Sequence, residues 1–159
     1  MINESITLSA VTKADIDKVN QVIESAIRCW NLPERVKRLS IPSYLYNEWD
    51  LQQFDIVAAK QSDTIIGVAS WQQASNKDTP KQQNGLLLHG LYVQPEFQNK
   101  TAGKQLLHAA EASARDKGLN GLLVKAHKDA TTFFIKNNFE AVKSAHAPNQ
   151  YTYLFWKKL

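Results

Sequence analysis

The stretch LYVQPEFQNKTAGKQLL, residues 91–107, carries the chain out of a strand-like run, through a polar loop and into a helix. Upstream, Leu86–Val93 is a mainly apolar run broken by Gly90, which marks a bulge or a close backbone approach within a strand. Downstream, apolar residues recur at helical spacing over residues 101–117. A strand, a polar loop and a helix therefore follow one another here.

The polar loop predicts an anion site. The first N–H groups of a helix have no partner inside the helix, and the helix dipole favours negative charge at that end. Gly103 permits a close backbone approach, and Lys100 and Lys104 add positive charge. The alternative is a capped surface helix with ordinary lysines, and the loop alone does not separate these two interpretations.

Composition and charge are those of a globular chain with a positive C-terminal half. The 159 residues are 43% hydrophobic and 21% charged, so we expect a single domain over residues 1–159. Residues 1–80 hold eight basic and ten acidic side chains, whereas residues 81–159 hold eleven basic and five acidic ones. Because the positive half contains the loop, a bound polyanion is expected there.

Other classes of protein are disfavoured. The single cysteine, Cys29, excludes an internal disulfide and a cysteine-rich zinc site, and its apolar helical surroundings predict a small buried side chain. No metal site is predicted. The first residues lack the regions of a signal peptide, and no apolar run approaches the ~20 residues that span a bilayer. Since the basic residues are dispersed, nucleic-acid binding is disfavoured. We therefore expect a cytoplasmic protein that binds neither membrane nor nucleic acid.

Periodicity and turn signals predict the order β-α-α-β-β-β-α-β-α-β-β. Thr12 and Asp15 resemble a capping box that opens the first helix, Pro33 suits the start of the second, and Ile41-Pro42 is expected to interrupt it. The remaining predicted segments are strands Asp55–Lys60, Thr64–Trp71, Leu86–Val93 and Leu122–Lys125, a helix over residues 101–117 ending at Gly118, a helix Ala130–Asn137, and strands Phe139–Lys143 and Tyr151–Trp156. Such mixed order indicates an α/β or α+β layer architecture.

Residues 91–107 are similar to the acetyl-CoA motif of the GCN5-related N-acetyltransferase (GNAT) family. That motif reads Arg or Gln, two residues, Gly, one residue, and then Gly or Ala. Here Gln98, Thr101 and Gly103 occupy the three defining positions. Thr101 departs from the first glycine, and a β-branched residue would be strained there if the position needed a positive φ.

A second segment, ATTFFIKNNF at residues 130–139, resembles the family's Ala-x-x-Phe-Tyr-x-x-x-Gly-Phe pattern. Asn138 replaces the glycine, and Phe134 stands where tyrosine is common. The two motifs, at this separation and in this order of elements, imply the GNAT fold. That fold is an α/β mixed sheet with helices on both faces.

The resemblance implies an acetyl-CoA site between the parallel strands Leu86–Val93 and Leu122–Lys125. Strand backbone would pair with the pantetheine arm like an added strand, and loop amides would hold the pyrophosphate. Phe133 is also explained as a core residue. The implied cofactor-binding residues are Leu91, Tyr92, Val93, Gln98, Asn99, Lys100, Thr101, Ala102, Gly103, Lys104 and Phe133.

Acetyl transfer to an amine needs a base for the amine proton and a donor for the carbonyl oxygen. His89 shares one strand face with Leu91 and Val93, and it stands where related amine acetyltransferases direct a histidine at the amine. His89 is therefore the predicted catalytic base, and the alternative is a partly buried histidine paired with a neighbouring strand. The backbone N–H near Leu91 is the implied oxyanion donor.

A proton source for the departing thiolate is also required. The family's usual tyrosine is Phe134 here, and phenylalanine cannot donate a proton. Tyr151, on a late strand, and His127, just before the helix at residue 130, are the predicted catalytic alternatives. Either side chain is otherwise an ordinary structural residue, and solvent is a further source.

The acceptor side is expected to be aromatic. Tyr44 and Trp71 are the predicted substrate-binding residues, with Tyr46 and Trp49 as further walls for an aromatic or cationic amine, although an aromatic-rich core explains them equally. We expect an acetyl-CoA-dependent N-acetyltransferase, monomeric or homodimeric, that acts on a small-molecule or peptide amine. The alternative is a catalytically weak acyl-CoA-binding or interaction domain on the same fold.

Overall fold

A computed structural model of the chain describes residues 5–98, 100–142 and 152–159. The described residues form a mixed α/β fold in which helices flank a seven-stranded sheet. The strands are β1 Ile6–Ala10, β2 Asp55–Gln61, β3 Thr64–Gln73, β4 Gly85–Val93, β5 Gly121–His127, β6 Glu140–Ala141 and β7 Thr152–Lys158. The helices are α1 Ile16–Arg28, α2 Glu34–Tyr44, α3 Asp50–Gln53, α4 Ala102–Asp116 and α5 Thr131–Lys136.

Hydrogen-bonded neighbours follow the order β1-β2-β3-β4-β5-β7-β6. The sheet is mixed because β4 and β5 are parallel, whereas β7 runs antiparallel to both β5 and β6. The parallel register runs from Gly85↔Gly121 to Leu88↔Val124, and β4 itself continues to Val93. The predicted fold class and order of elements are confirmed, with the one-turn helix α3 as an addition.

By its internal contacts the chain divides into two compact units. The first comprises the residues up to Ser70 together with Gly90–His108, and the second comprises Trp71–His89 with the residues from Ala109 onward. The single domain expected over residues 1–159 stays a prediction.

The first unit is built around the amphipathic helix α1. Thr12 and Asp15 form the predicted capping box, in which the Asp15 carboxylate accepts hydrogen bonds from the Thr12 N–H at 2.9 Å and from its hydroxyl at 3.0 Å. These bonds lower the pKa of Asp15. The apolar face of α1 then packs into a core with β2 and β3, whose buried members include Val19, Val22, Ile23, Ile27, Ile56, Ala58, Ile65 and Val68.

The second unit is organised by Trp156 on β7. A Cβ atom added to Gly85 would lie 2.7 Å from the Trp156 ring, and one added to Gly121 would also overlap it. Because Gly85 and Gly121 are register partners, the two glycines leave a flat surface for the indole. Leu123, Leu87 and other apolar side chains complete this core.

Helices α4 and α5 are each followed by a residue in the left-handed conformation. Gly118 has φ +68°, and the N–H of Leu119 donates to the carbonyl of Ala114 at 2.9 Å, which closes α4. Asn138 takes φ +70° after α5. Within the described residues, no helix is long and apolar enough to cross a bilayer.

Two local predictions are wrong. Helix α2 continues through Pro42 to Tyr44, because Pro42 lies in the last turn, where its missing N–H removes one hydrogen bond and the buried Ile41 still anchors the helix. Cys29 is exposed rather than buried, because it is the C-cap residue, one position beyond the last residue of α1.

The last hairpin also differs in extent from the prediction. The sixth strand is Glu140–Ala141, so Phe139 and Val142 of the predicted strand Phe139–Lys143 are not part of it, and Lys143 lies outside the described residues. Tyr151 and Asn99, both predicted site residues, lie outside the described residues.

Candidate active site

In the first unit, β4 leads directly into the candidate cofactor loop. The N–H of Gln94 donates to the carbonyl of Ile66 on β3 at 2.8 Å, which fixes the end of the strand. A short turn at Pro95–Phe97 follows, and the side chain of Gln98 then donates to the carbonyl of Val93 at 3.2 Å. The loop is therefore fastened back to the strand that it leaves.

The start of α4 supplies backbone donors. The N–H of Gln105 donates to the carbonyl of Thr101 at 2.9 Å, so the amides of Ala102, Gly103 and Lys104 precede the first hydrogen bond of the helix ladder. Ala102 is fully buried, whereas Lys104 is exposed. These three amides are the ones that a helix offers to an anion.

Thr101 fits this position without strain. Among the described residues, a positive φ outside glycine occurs at Ser62, Lys81, Gln82 and Asn138, so Thr101 does not need the conformation that a β-branched residue resists. Its hydroxyl accepts a hydrogen bond from the Gln105 carboxamide at 3.1 Å. The departure from the family's glycine therefore leaves the helix start intact.

The electrostatics of the loop also favour an anion. Lys100 lies with its ammonium 5.5 Å from the centre of the Phe97 ring, a cation–π contact that keeps the charge beside the loop. Lys104 lies in the first turn of α4, and that turn contains no acidic residue. Positive charge and backbone donors coincide there, which suits a phosphate-bearing ligand.

Gly67 on β3 is a site feature that the sequence-based reasoning missed. A Cβ atom at this position would lie 3.0 Å from Leu106 Cδ1 and 3.2 Å from the carbonyl oxygen of Tyr92. The missing side chain lets β3, β4 and the start of α4 approach closely. A glycine inside an otherwise apolar strand run was the available signal.

Three tyrosines gather in the first unit. Tyr44 is 37% exposed and packs edge-on against Trp30, with ring centres 5.5 Å apart. Tyr46 is 7% exposed, and its burial raises its pKa to about 12. Burial, with Tyr46 and Tyr44 nearby, also raises the pKa of Tyr92. All three phenols therefore stand close to β4, and Tyr44 is the most accessible.

In the second unit, His89 and His127 lie on neighbouring strands. His89 is exposed on β4. His127 ends β5 with a side chain that is 26% exposed, and its Nδ1 atom accepts a hydrogen bond from the N–H of Asp129 at 3.4 Å. The Asp129 carboxylate lies 3.9 Å from the same nitrogen, so a protonated His127 would gain an ion pair.

Phe133 and Phe134 belong to an aromatic cluster on α5. Phe134 is 4% exposed, and its ring lies edge-on between those of Phe133 and Phe139, each with its centre 5.2 Å away. Phe133 is half-buried. Phe134 therefore acts as a core residue in this unit and brings no hydroxyl.

Trp71 is buried in the second unit. Its side chain is 3% exposed, and the indole N–H donates to the Ser113 hydroxyl on α4 at 3.1 Å. A buried tryptophan with its N–H paired is sufficient as a core residue. Its assignment as a substrate-binding residue stays a prediction, as does that of Tyr44.

A family model described as an acetyltransferase (GNAT) domain matches residues 24–155, most of the chain. The chain belongs to the GNAT acetyltransferase family. The resemblance of residues 91–107 and 130–139 to GNAT motifs is thereby confirmed as a family relationship. No curated protein matches the chain significantly in sequence.

Solved GNAT structures share this fold. A PaiA N-acetyltransferase from Thermoplasma acidophilum, in complex with coenzyme A, has a TM-score of 0.80 and 20% identity, over 98% of this chain and 99% of that one. A GCN5-related N-acetyltransferase from Rhodopseudomonas palustris has a TM-score of 0.75 and 17% identity, over 100% and 99%. A GNAT acetyltransferase from Brucella melitensis, in complex with acetyl-CoA, has a TM-score of 0.66 and 12% identity, over 98% and 89%.

These similarities establish the GNAT fold, and the roles of individual side chains rest on the geometry of this chain. Among its predicted cofactor residues, Val93 and Gln98 are in direct contact, and Thr101 opens the helix whose first turn holds Gly103 and Lys104. Two of the GNAT structures similar to this one were crystallised with coenzyme A or acetyl-CoA.

Proposed function

We propose that this GNAT protein is an N-acetyltransferase that uses acetyl-CoA to acetylate a primary amine by direct attack in a ternary complex. The observation that carries the proposal is the loop between Val93 and α4. There the Gln98 side chain fastens the loop to Val93, and the first backbone N–H groups of α4 lack partners within the helix. Together with Lys100 and Lys104 they form a positive surface rich in hydrogen-bond donors. Such a surface fits the pyrophosphate of coenzyme A.

The residues assigned to the cofactor are those that the resemblance to the GNAT motifs implies. Backbone groups of Leu91 and Val93 pair with the amides of the pantetheine arm, and the first turn of α4 binds the pyrophosphate. The full cofactor set is Leu91, Tyr92, Val93, Gln98, Asn99, Lys100, Thr101, Ala102, Gly103, Lys104 and Phe133. When bound, acetyl-CoA supplies the acetyl group as a thioester.

The chemistry assigned to this chain is proton transfer and charge stabilisation. His89 accepts the proton of the amine, directly or through a water molecule, since an imidazole changes its charge near neutral pH. The N–H of Leu91 donates to the acetyl oxygen as negative charge develops on it. His127, whose Nδ1 atom lies 3.9 Å from the Asp129 carboxylate, donates a proton to the sulfur. Tyr151 is the alternative donor.

The proposal is tested by following thiol release with acetyl-CoA and a panel of diamines, aromatic amines and amino-terminal peptides. His89→Ala should lower kcat/KM by about 100-fold and remove the acidic limb of its pH profile, with the affinity for acetyl-CoA unchanged. His108→Ala, which removes an exposed histidine on α4, is the matched control. Full activity of His89→Ala between pH 6 and 9 would remove His89 from this role.

Phe134 supports a second candidate function, an acyl-CoA-binding domain with weak chemistry. Its ring is committed to the aromatic cluster, so the family's usual proton donor is absent from that position. Acetyl-CoA binding in calorimetry, without thiol release for any amine of the panel, would favour this second function. Turnover of peptides but not of small amines would instead identify a peptide acetyltransferase.

A further inference from the structure

Tyr46 is held by its backbone from α1. The N–H of Tyr46 donates to Asn20 Oδ1 at 2.9 Å, and the Asn20 Nδ2 group donates back to the carbonyl of Tyr46 at 2.9 Å. One carboxamide thus satisfies both backbone groups of a residue 26 positions away. This pairing fixes the point at which the chain leaves α2.

The Tyr46 side chain is fixed at its other end by β3. Its hydroxyl shares a hydrogen bond with the hydroxyl of Ser70, which is fully buried. The ring also packs at a tilt against Phe54, with centres 6.4 Å apart. We call this arrangement of Asn20, Tyr46 and Ser70 the tyrosine tether.

The tether ends beside β4 at Gly90. A Cβ atom at Gly90 would lie 3.0 Å from the Tyr46 hydroxyl and 2.7 Å from the Tyr92 ring, so the phenol occupies the space that a side chain would fill. Gly90 stands in the chain between His89 and Leu91, the two residues to which the proposed function assigns the amine proton and the acetyl oxygen.

Tyr46 belongs to a segment with its own internal hydrogen bonds. Residues 45–54 run from the end of α2 through α3 to the start of β2, and within the segment Asn47 accepts hydrogen bonds from the N–H groups of Trp49 and Asp50. Trp49 is 72% exposed, and Glu48 is also exposed. Tyr46 is the residue of this segment that reaches both Ser70 and Gly90.

We propose that Tyr46 is a positioning residue for the amine acceptor: the tyrosine tether holds residues 45–54 against β4 at Gly90, and this placement sets the affinity for the amine. The proposal rests on the proposed function. It assigns no proton transfer to Tyr46. It predicts instead that loss of the tether affects amine binding and leaves the cofactor loop at residues 98–104 unchanged.

The test compares Tyr46→Phe, Ser70→Ala and the double variant. Each single change leaves one buried hydroxyl without its partner, whereas the double variant removes both and should recover most of the thermal stability. In the double variant the KM for the amine should still rise about fivefold, since a lost buried hydrogen bond is worth about 1 kcal/mol and the segment is no longer fixed. The kcat and the Kd for acetyl-CoA should stay within about twofold.

A purely structural role would give a different pattern. The KM would then follow the melting temperature and return to the wild-type value in the double variant, which would overturn the proposal. Thr79→Val, which removes another buried hydroxyl, controls for a general loss of stability. It should lower the melting temperature with the KM for the amine unchanged.

Amide hydrogen exchange separates this proposal from the proposed function. In the double variant, exchange over residues 45–54 should accelerate about tenfold while exchange in α4 stays as in the wild type. If the wild-type protein acetylates no amine, the proposed function fails, and accelerated exchange still supports the tether. Unchanged exchange over residues 45–54 overturns the tether, whatever the activity.

Discussion

The carboxamide of Gln98 donates a hydrogen bond of 3.2 Å to the carbonyl of Val93 and so fastens the candidate pyrophosphate loop to the end of β4. The same side chain occupies the first position of the GNAT motif. The motif residue therefore has a local structural role in addition to any contact with the cofactor. Its removal should release the loop and leave the strand in place.

Gln98→Ala should weaken acetyl-CoA binding about fivefold, because a lost hydrogen bond of about 1 kcal/mol adds to the ordering cost of binding. Gln98→Arg keeps a donor at this position and adds positive charge, so its Kd should stay within about twofold of wild type or improve. Isothermal titration calorimetry with acetyl-CoA measures both. If Gln98→Ala bound acetyl-CoA with wild-type affinity, the hydrogen bond from Gln98 to Val93 would not help to order the loop for binding.

Thr101→Gly should not improve cofactor binding, although glycine is the family's usual residue there. Thr101 does not use a positive φ, so glycine relieves no strain and adds flexibility to the unfolded chain. The Kd for acetyl-CoA should change by less than about threefold, and stability should fall by a few tenths of a kcal/mol, roughly the cost of glycine at such a cap. Binding tighter by a factor of ten would contradict the geometry of Thr101.

Gly121 and Gly118 should respond very differently to alanine. A Cβ atom at Gly121 would overlap the Trp156 ring and lie 2.5 Å from the carbonyl oxygen of Lys157, so Gly121→Ala should cost about 3 kcal/mol as an overpacked site. Gly118 has open space but φ +68°, so Gly118→Ala should cost only about 1 kcal/mol of backbone strain. Urea unfolding at pH 7 measures both free energies.

Gly118→Asn is the matched control for Gly118→Ala. Asparagine tolerates the left-handed conformation, so this variant should be more stable than Gly118→Ala. Equal costs at Gly121 and Gly118 would mean that Trp156 moves aside without loss.

Features that depend on neighbours in sequence were predictable. The capping box of Thr12 and Asp15 and the glycine cap at Gly118 each act over three to five residues, so the local sequence alone indicates them. The loop between Val93 and α4 was equally readable, because a polar stretch between a strand and a helix has few alternatives.

Features that depend on distant residues were not predictable. Tyr46 and Ser70 are separated by 24 positions, and nothing in either local pattern indicates that two hydroxyls meet. Gly85 and Gly121 were visible as glycines, but the indole that covers them comes from β7. Helix α2 continues past Pro42 because the burial of Ile41 outweighs the tendency of proline to end a helix. The burial of Ile41 is known only once the fold is known.

The ion pair between Glu111 on α4 and Lys157 on β7 gives a further prediction. The Glu111 carboxylate and the Lys157 ammonium are 2.5 Å apart, with side chains only 7% and 18% exposed. Lys157→Met should destabilise the protein by about 3 kcal/mol, because it leaves a buried carboxylate unpaired. The double variant Glu111→Leu, Lys157→Met should recover most of that loss, as measured by urea unfolding, and an additive double variant would contradict it.

The tyrosine tether makes stability depend on alkaline pH. Burial raises the pKa of Tyr46 to about 12, above its usual value near 10. Below pH 10 the phenol is neutral in both the folded and the unfolded chain, so its ionisation does not reduce the free energy of unfolding. Between pH 10 and pH 12 the unfolded chain loses this proton while the folded chain retains it, so stability should fall by about 2 to 3 kcal/mol.

Tyr46→Phe separates this loss from the titration of the lysines, which both proteins share. At pH 7 the variant should be less stable by about 1 to 2 kcal/mol, because the Ser70 hydroxyl loses its partner. Its stability should then decline less steeply than that of the wild type from pH 10 upward, so the two curves converge. Urea unfolding at intervals of half a pH unit measures the difference, and parallel curves would show that the Tyr46 phenol ionises as easily in the folded protein as in the unfolded chain.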